Sequence, residues 1–364
     1  MKAADRWSSQ AGAAAKSRLT TASDIGAAAV AELVIEAVFE NLQLKQDIFR
    51  RLDASLPPQA LIATNTSTLD VDAIAAVTQR PENVIGMHFF SPAHVMRLVE
   101  IVRAARTSAA SIATARAVSA RIGKLAVVVG NCFGFVGNRM LYAYGRENQF
   151  MLLEGVAAER IDTVLEGFGM AMGPNAVGDL AGLDVGYRVR RERKDLPDDP
   201  RYYRVADLLV EHGRLGQKNG RGMYLYGSDS RARTVDPQVQ QLIRDEAARL
   251  HVAPREVSDA EIIERCIYAL INEGAAILEE GIAASAEDID LIWCNGYGFP
   301  RARGGPMAYA DSIGLGTVLD GVSRLAAVQG ARFWTAAPLL RKLAAGNGSF
   351  AAWQALGADR PTQI

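Results

Sequence analysis

The sequence of 364 residues contains few cysteines, few histidines and almost no net charge. Its three cysteines, Cys132, Cys266 and Cys294, lie far apart without CxxC spacing, which argues against a disulfide framework and predicts no metal site. Forty basic residues nearly balance forty-one acidic ones, so the formal net charge is −1. Without a long basic run, we expect neither nucleic acid nor an anionic membrane surface as a partner.

Long hydrophobic runs are also missing. No run reaches the length of about 18 residues that a membrane-spanning helix needs. The first residues lack the apolar core of a signal peptide, and the terminal Pro-Thr-Gln-Ile is not a recognised peroxisomal address. We therefore predict a cytoplasmic protein.

Short apolar runs alternate with helical patterns over residues 30–128. The segments between these runs have apolar residues at helical spacing. The alternation is typical of an α/β domain with a mainly parallel sheet, which we place at residues 1–130. The predicted strands are 31–39, 60–65, 83–90, 97–102 and 124–130, and the predicted helices are 40–56, a short one through Val71, Ile74 and Val77, and 108–122.

The second half is mostly helical and contains an internal repeat. Residues 152–174 resemble residues 277–306. In each copy a helix ends at Glu-Gly, an Ile-Asp pair opens the next helix, and an aromatic residue between glycines leads to Gly-Pro. The corresponding pairs are Asp162 with Asp290 and Phe168 with Tyr297.

Two polar segments interrupt this half and are predicted to be loops or junctions, at 188–204 and 228–238. Together with the repeat, they divide it into helical domains at 131–235 and 236–364. The predicted fold class is thus α/β followed by all-α.

One of only four histidines, His88, lies in the predicted strand 83–90, and Glu100 lies on the next predicted strand. A histidine on an apolar strand is more often a core residue than a catalyst. A carboxylate partner, however, fixes the imidazole tautomer and stabilises the imidazolium that forms when histidine takes up a proton. If the two strands lie side by side, the two residues meet as a general-base pair.

Further polar residues follow the predicted strand 60–65, where an open α/β sheet has its ligand-binding crevice. Asn65, Thr66 and Ser67 lie there, with ordinary helix capping as the alternative. Asn138 lies just inside a long predicted helix, where an amide is mildly unfavourable without a partner. These residues suit an oxidoreductase or a hydrolase site, although no Gly-x-Ser-x-Gly elbow is present.

Six stretches of the sequence carry a resemblance to a known family. They are NTSTL (65–69), HFFSPAHVMRLVEIV (88–102), VGNCFGFVGNRM (129–140), DLAGLDVG (179–186), GRLGQKNGRGMYLY (213–226) and GYGFPRARGGPM (296–307). Together they resemble the L-3-hydroxyacyl-CoA dehydrogenase family, especially the dehydrogenase part of multifunctional fatty-acid β-oxidation enzymes. The resemblance covers residues 18 to about 356 and implies a Rossmann-type sheet domain followed by two repeated helical domains.

The resemblance implies NAD-dependent oxidation of L-3-hydroxyacyl-CoA to 3-ketoacyl-CoA in fatty-acid β-oxidation. His88 would be the general base and Glu100 its orienting carboxylate. Ser67 and Asn138 would hydrogen-bond the substrate oxygen and pantetheine or nicotinamide groups, where charge develops.

The resemblance also implies cofactor contacts. Val38, Phe39, Glu40 and Lys45 match positions on the ribose side of NAD, although Glu40 and Lys45 would equally suit solvated helix residues. Ser91 occupies a cofactor-site position that is commonly Asn in relatives.

The sequence lacks the Gly-x-Gly-x-x-Gly fingerprint that holds a pyrophosphate against a helix N-terminus. We expect the chain to lack this amino-terminal unit, and its sheet to expose an edge that another chain or self-association completes. Three interpretations are open: an active dehydrogenase, an acyl-CoA-binding or assembly module without hydride transfer, and a dehydrogenase of another class, for 2-hydroxy acids or sugar acids. The motifs favour the first.

Overall fold

The computed structural model describes residues 10–227 and 232–357, and no helix in this part of the chain is long and apolar enough to cross a membrane. Its strands are β1 (Leu33–Glu36), β2 (Leu61–Thr64), β3 (Val84–Phe89), β4 (Leu98–Arg103), β5 (Leu125–Gly130), β6 (Tyr224–Tyr226) and β7 (Arg233–Val235). Its helices are α1 (Gln10–Lys16), α2 (Leu42–Ser55), α3 (Val71–Ala75), α4 (Ala109–Arg121), α5 (Gly137–Leu153), α6 (Ala158–Phe168), α7 (Pro174–Ala181), α8 (Leu183–Glu192), α9 (Arg204–Glu211), α10 (Pro237–Arg249), α11 (Asp259–Glu279), α12 (Ala286–Gly296), α13 (Pro306–Ile313), α14 (Leu315–Gln329), α15 (Ala331–Trp334), α16 (Pro338–Ala345) and α17 (Phe350–Gly357).

Strands β1 to β5 form one sheet in the order in which they occur in the sequence. β1, β2 and β3 are parallel, β4 is antiparallel to β3, and β5 is parallel to β4. The five strands coincide with the five predicted segments, and the expectation of a mainly parallel sheet followed by helices is confirmed. β2 and β3 are buried along nearly their whole length, which explains their continuous apolar sequence.

Successive side chains of the sheet point to opposite faces. Ile62 and Val84 face the main core, which continues without a break into the helical half. Ile85 and Val99 face the other side, where they pack in a smaller cluster with Ala115 of α4. The sheet is therefore covered on both faces.

Within the described residues β1 pairs only with β2, so it forms one edge of the sheet. Ile35 on this strand is 38% exposed, and Phe39 just beyond it is 82% exposed. The loss of the Gly-rich unit, and the completion of the sheet by another chain, stay predictions.

The internal repeat is visible in how each copy anchors its third helix. Asp162 of α6 accepts hydrogen bonds from two backbone N–H groups at the start of α7. Asp290 of α12 does the same at the start of α13. Each helix begins at the proline of a Gly-Pro pair, and its first N–H groups have no partner inside the helix. The recurring aspartate supplies that partner, which is why Asp and Gly-Pro recur together.

The long helices of the two copies, α5 and α11, pack against each other along much of their length. A cluster of buried charges lies in this contact. Arg265 of α11 has no exposed surface and donates to Glu147 at 2.9 Å and to Glu154 at 2.7 Å, both on or next to α5. Buried charges are tolerated only when they are paired, so this cluster fixes the position of α11 on α5.

The two segments predicted to be loops are partly regular. Helix α8 continues into the first segment as far as Glu192, because the guanidinium of Arg190 is buried and paired with Asp207 of α9. The second segment contains β7, which pairs with β6, and the start of α10; its residues 228–231 lie outside the described part of the chain. The domain limits 131–235 and 236–364 stay a prediction.

Candidate active site

His88 and Glu100 lie directly opposite each other on the antiparallel strands β3 and β4. Nδ1 of His88 is 2.8 Å from Oε2 of Glu100. Because a carboxylate only accepts hydrogen bonds, Nδ1 carries the hydrogen and Nε2 keeps its lone pair. The side chains meet as the strand spacing predicts, and the chemistry they are suited for is proton abstraction by Nε2.

The pair is held in a nearly dry environment. Glu100 has no exposed surface and His88 is 7% exposed. The second carboxylate oxygen of Glu100 accepts the backbone N–H of Gly137 at 3.0 Å, at the first residue of α5. A helix N-terminus favours negative charge, so α5 stabilises the carboxylate. The imidazole contacts the rings of Phe90 and Phe135, with ring centroids 4.7 and 5.8 Å away.

The loop after β2 is organised by Glu40. Its Oε1 accepts the hydroxyl of Thr66 at 2.6 Å and the backbone N–H groups of Ser67 and Thr68 at 2.8 and 3.1 Å. Burial raises the pKa of Glu40, but these hydrogen bonds outweigh burial and leave the pKa below its usual range. Helix α3 is capped by Asp70 instead, so Ser67 and its neighbours are not ordinary capping residues.

Lys45 is completely buried. Its ammonium lies 2.8 Å from Glu36 at the end of β1 and 3.6 Å from Glu40. The alternative that Lys45 is a solvated helix residue is therefore wrong. Glu36, which also accepts the hydroxyl of Thr64 at 2.7 Å, is a buried carboxylate that needs this cation. Glu36 was missed from the sequence, although an acidic residue ending an apolar strand was the available signal.

The remaining residues expected at the cofactor lie at the surface. Val38 and Phe39 follow β1 and are 40% and 82% exposed. Ser91 follows β3 and is also exposed. The three residues come after parallel strands at the carboxyl edge of the sheet, which is where open α/β sheets bind their ligands.

Asn138 at the start of α5 joins the helical half to this edge. Its Nδ2 donates to the backbone carbonyl of Ser67 at 3.3 Å. Nearby, Oδ1 of Asn65 accepts the backbone N–H of Phe89 at 2.9 Å, which ties the same loop to the residue after His88. The structure thus brings Ser67 and Asn138 together and links their loop to the strand that carries His88.

Tyr297 is a site residue that sequence reasoning did not single out. Its hydroxyl donates to Oδ1 of Asn138 at 2.9 Å, from a position 159 residues further along the chain. The available signal was the Gly-Tyr-Gly of the second repeat, where the first repeat has Gly-Phe-Gly around Phe168.

A mainly parallel sheet with polar groups at its carboxyl edge, followed by helical domains, is an arrangement that suits a dinucleotide-dependent dehydrogenase. The family model described as 3-hydroxyacyl-CoA dehydrogenase, NAD binding domain, matches residues 1–132. The model of the C-terminal domain of the same family matches twice, at 134–226 and 262–349. The chain belongs to the 3-hydroxyacyl-CoA dehydrogenase family.

Among curated proteins, the chain is 51% identical over 303 residues to the peroxisomal bifunctional enzyme of Danio rerio, covering 79% of this chain and 42% of that protein. It is 37% identical over 325 residues to the fatty acid oxidation complex subunit alpha of Acinetobacter baumannii (strain SDF), covering 88% and 45%. The chain thus spans less than half the length of these relatives.

Solved structures match over almost the whole chain. The 3-hydroxybutyryl-CoA dehydrogenase of Escherichia coli K12 superimposes with a TM-score of 0.76 at 28% identity, covering 93% of this chain and 87% of that one. The dehydrogenase part of multifunctional enzyme 1 from C. elegans gives a TM-score of 0.65 at 30% identity, covering 93% and 77%.

Proposed function

We propose that this protein oxidises L-3-hydroxyacyl-CoA to 3-ketoacyl-CoA with NAD, as a step of fatty-acid β-oxidation. The observation that carries the proposal is the buried pair of His88 and Glu100, in which only Nε2 of the imidazole is left to act as a base. Family membership supports the substrate class and the cofactor.

In this mechanism Nε2 of His88 takes the proton of the substrate hydroxyl. The carbon that bears the hydroxyl loses its hydrogen together with the bonding electron pair, and becomes a carbonyl carbon. The residues after β1 and the loop of Ser67 would hold NAD, which would supply the acceptor for this hydride. Glu100 balances the positive charge that His88 acquires, until His88 passes the proton on to water.

Asn138 acts on the substrate oxygen. This oxygen gains negative charge as its proton leaves, and a fixed N–H donor at that point lowers the barrier. One hydrogen of the Asn138 amide is used by the carbonyl of Ser67, so the other is left for the substrate.

The residues around the end of β1 fit the nicotinamide end of NAD. Val38 and Phe39 offer an exposed apolar surface for a flat ring, beside the hydroxyl-rich loop of Ser67. Lys45 is buried beneath this surface, so we assign it the role of holding Glu40, which in turn holds the loop.

The test is NADH oxidation followed at 340 nm with acetoacetyl-CoA as the substrate of the reverse reaction. We expect the parent chain to turn over and His88→Ala to lose about 10³-fold or more in kcat, because a positioned general base contributes about 10²–10⁴-fold. His251→Asn is the matched control: His251 is exposed with a positive φ, which Asn tolerates, and activity should not change. An equally active His88→Ala would refute the proposal, and a parent that binds acetoacetyl-CoA without turnover would favour an acyl-CoA-binding module instead.

The cellular location and assembly stay predictions. We predicted a cytoplasmic protein from the sequence, whereas the relative from Danio rerio is named as peroxisomal. Cell fractionation with an antibody to this chain discriminates between the two locations. Sedimentation of the purified chain tests whether it associates with itself.

A further inference from the structure

The orientation of the Asn138 amide is determined by its two partners. The carbonyl of Ser67 can only accept, so it must face Nδ2. Oδ1 then faces the hydroxyl of Tyr297, which must donate. Burial, with the nearby carboxylate of Glu100, raises the pKa of Tyr297 well above its usual range, so the phenol keeps the hydrogen that it donates. Among the described residues this hydroxyl is the donor that faces Oδ1, so without it only the 3.3 Å hydrogen bond to Ser67 orients the amide.

The ring of Tyr297 is itself closely fixed. It stacks on Trp293 at 4.7 Å and meets Phe90 edge-on at 5.4 Å. A Cβ atom at Gly137 would lie 2.4 Å from this ring, so only glycine allows α5 to approach so closely. Tyr297 therefore contacts Gly137, whose N–H donates to Glu100, and Phe90, whose ring lies against His88.

The hydroxyl is not a requirement of the repeated fold. Phe168 occupies the corresponding position of the first repeat and packs against Phe299 and Tyr309. The glycine that follows it, Gly169, has a positive φ, as Gly298 has after Tyr297. Phenylalanine thus satisfies the packing of this motif. The phenol of the second copy serves a purpose that the first copy does not have.

We propose that Tyr297 is a positioning residue of the active site, which holds the Asn138 amide with its free N–H toward the substrate oxygen. The kinetic effect that we expect from Tyr297 rests on the proposed function. The second helical repeat then supplies a residue that orients the Asn138 amide of the active site.

The test is a double-mutant cycle of Tyr297→Phe and Asn138→Ala, with NADH oxidation by acetoacetyl-CoA as the readout. We expect Tyr297→Phe to lower kcat about tenfold and to weaken acetoacetyl-CoA binding by a smaller factor, and Asn138→Ala to lower kcat about 10²-fold. In the Asn138→Ala background the Tyr297→Phe change should have no further effect. Tyr144→Phe is the matched control: the Tyr144 hydroxyl is buried without a hydrogen-bond partner in the described part of the chain, and its ring packs on the same Trp293.

A merely structural role for Tyr297 predicts losses that multiply in the double variant, and that result would overturn the proposal. So would a kcat of Tyr297→Phe within about twofold of the parent. If the parent chain does not turn over, the proposed function fails, but the cycle is still measured from dissociation constants for acetoacetyl-CoA. A Tyr297→Phe effect on binding that vanishes without Asn138 then supports the positioning role, and independent effects overturn it.

Discussion

Replacing Glu100 by glutamine tests the central pair without changing its shape. Glu100 accepts two hydrogen bonds, one from Nδ1 of His88 and one from the N–H of Gly137. Glutamine has a single acceptor oxygen, and its NH₂ group would face one of these two donors. Either Gly137 loses its acceptor, or His88 moves its hydrogen to Nε2 and can no longer act as a base.

The size of the effect follows from the charge that is lost. A hydrogen bond to a charged group contributes about 1.5–3 kcal/mol, and a neutral one about 0.5–1.5 kcal/mol. The imidazolium formed during the reaction therefore loses about 1–2 kcal/mol of stabilisation, which is about 5- to 30-fold in rate. If the amide oxygen faces Gly137, the wrong tautomer of His88 adds to this loss, and we expect kcat to fall about 10²-fold. If the oxygen faces His88 instead, the buried N–H of Gly137 has no acceptor, which should lower the free energy of unfolding by about 1–3 kcal/mol.

The assay is steady-state NADH oxidation with acetoacetyl-CoA, together with urea unfolding of the same preparation. Glu256→Gln is the control, since Glu256 is exposed and lies in another part of the chain. KM should change less than kcat, because Glu100 is buried behind His88 and does not contact the substrate. A Glu100→Gln variant with the kcat of the parent, or one whose whole defect lies in KM, would contradict this account of the pair.

Two further predictions concern the loop after β2 and the second repeat. Glu40→Ala should raise the KM for NADH about tenfold and speed hydrogen exchange at the N–H of Ser67, because that N–H loses its acceptor; unchanged exchange would show that the loop is held by other contacts. Burial, with the charges of Asp311 and Glu287, raises the pKa of Asp290 to about 7, so the folded protein keeps a proton there that the unfolded chain releases near pH 4. The stability that Asp290 contributes is present below pH 4 and is lost as the pH rises through 7. Between pH 5 and pH 8, the free energy of unfolding of the parent in urea should therefore fall about 3 kcal/mol further than that of Asp290→Asn. If the two free energies change in parallel with pH, the pKa shift of Asp290 is refuted.

The sheet was predictable because each strand is a local signal. Strands buried on both faces need continuous apolar runs, and such runs mark β2 to β5 within one residue at each end and the edge strand β1 within three. The small β6–β7 pair has no such signal, because its strands are short and partly exposed. The charged segment beyond Tyr187 looked like a loop because its arginines suggest solvent, yet Arg190 is buried with a partner on another helix.

The site was predictable where its parts lie on neighbouring strands. His88 and Glu100 are close in sequence and separated by one bend, so their pairing follows from the strand pattern. The partners of Asn138 were not predictable in this way, since Tyr297 reaches it from the second repeat. Nor was the burial of Lys45, which depends on Glu36 lying inside the sheet. Contacts between distant segments are set by tertiary packing, which spacing along the chain does not encode.

The packing of α11 on α5 also has a consequence for how the site responds to dilution. Both helices belong to one polypeptide, so their association carries no bimolecular entropy cost and does not follow mass action. Arg265 makes the alignment selective, because sliding by one helical turn would leave its guanidinium buried without Glu147 and Glu154. The tyrosine of the second copy and the amide of the first therefore stay together at nanomolar protein as they do at millimolar, whereas a centre shared between two separate subunits would fall apart on dilution.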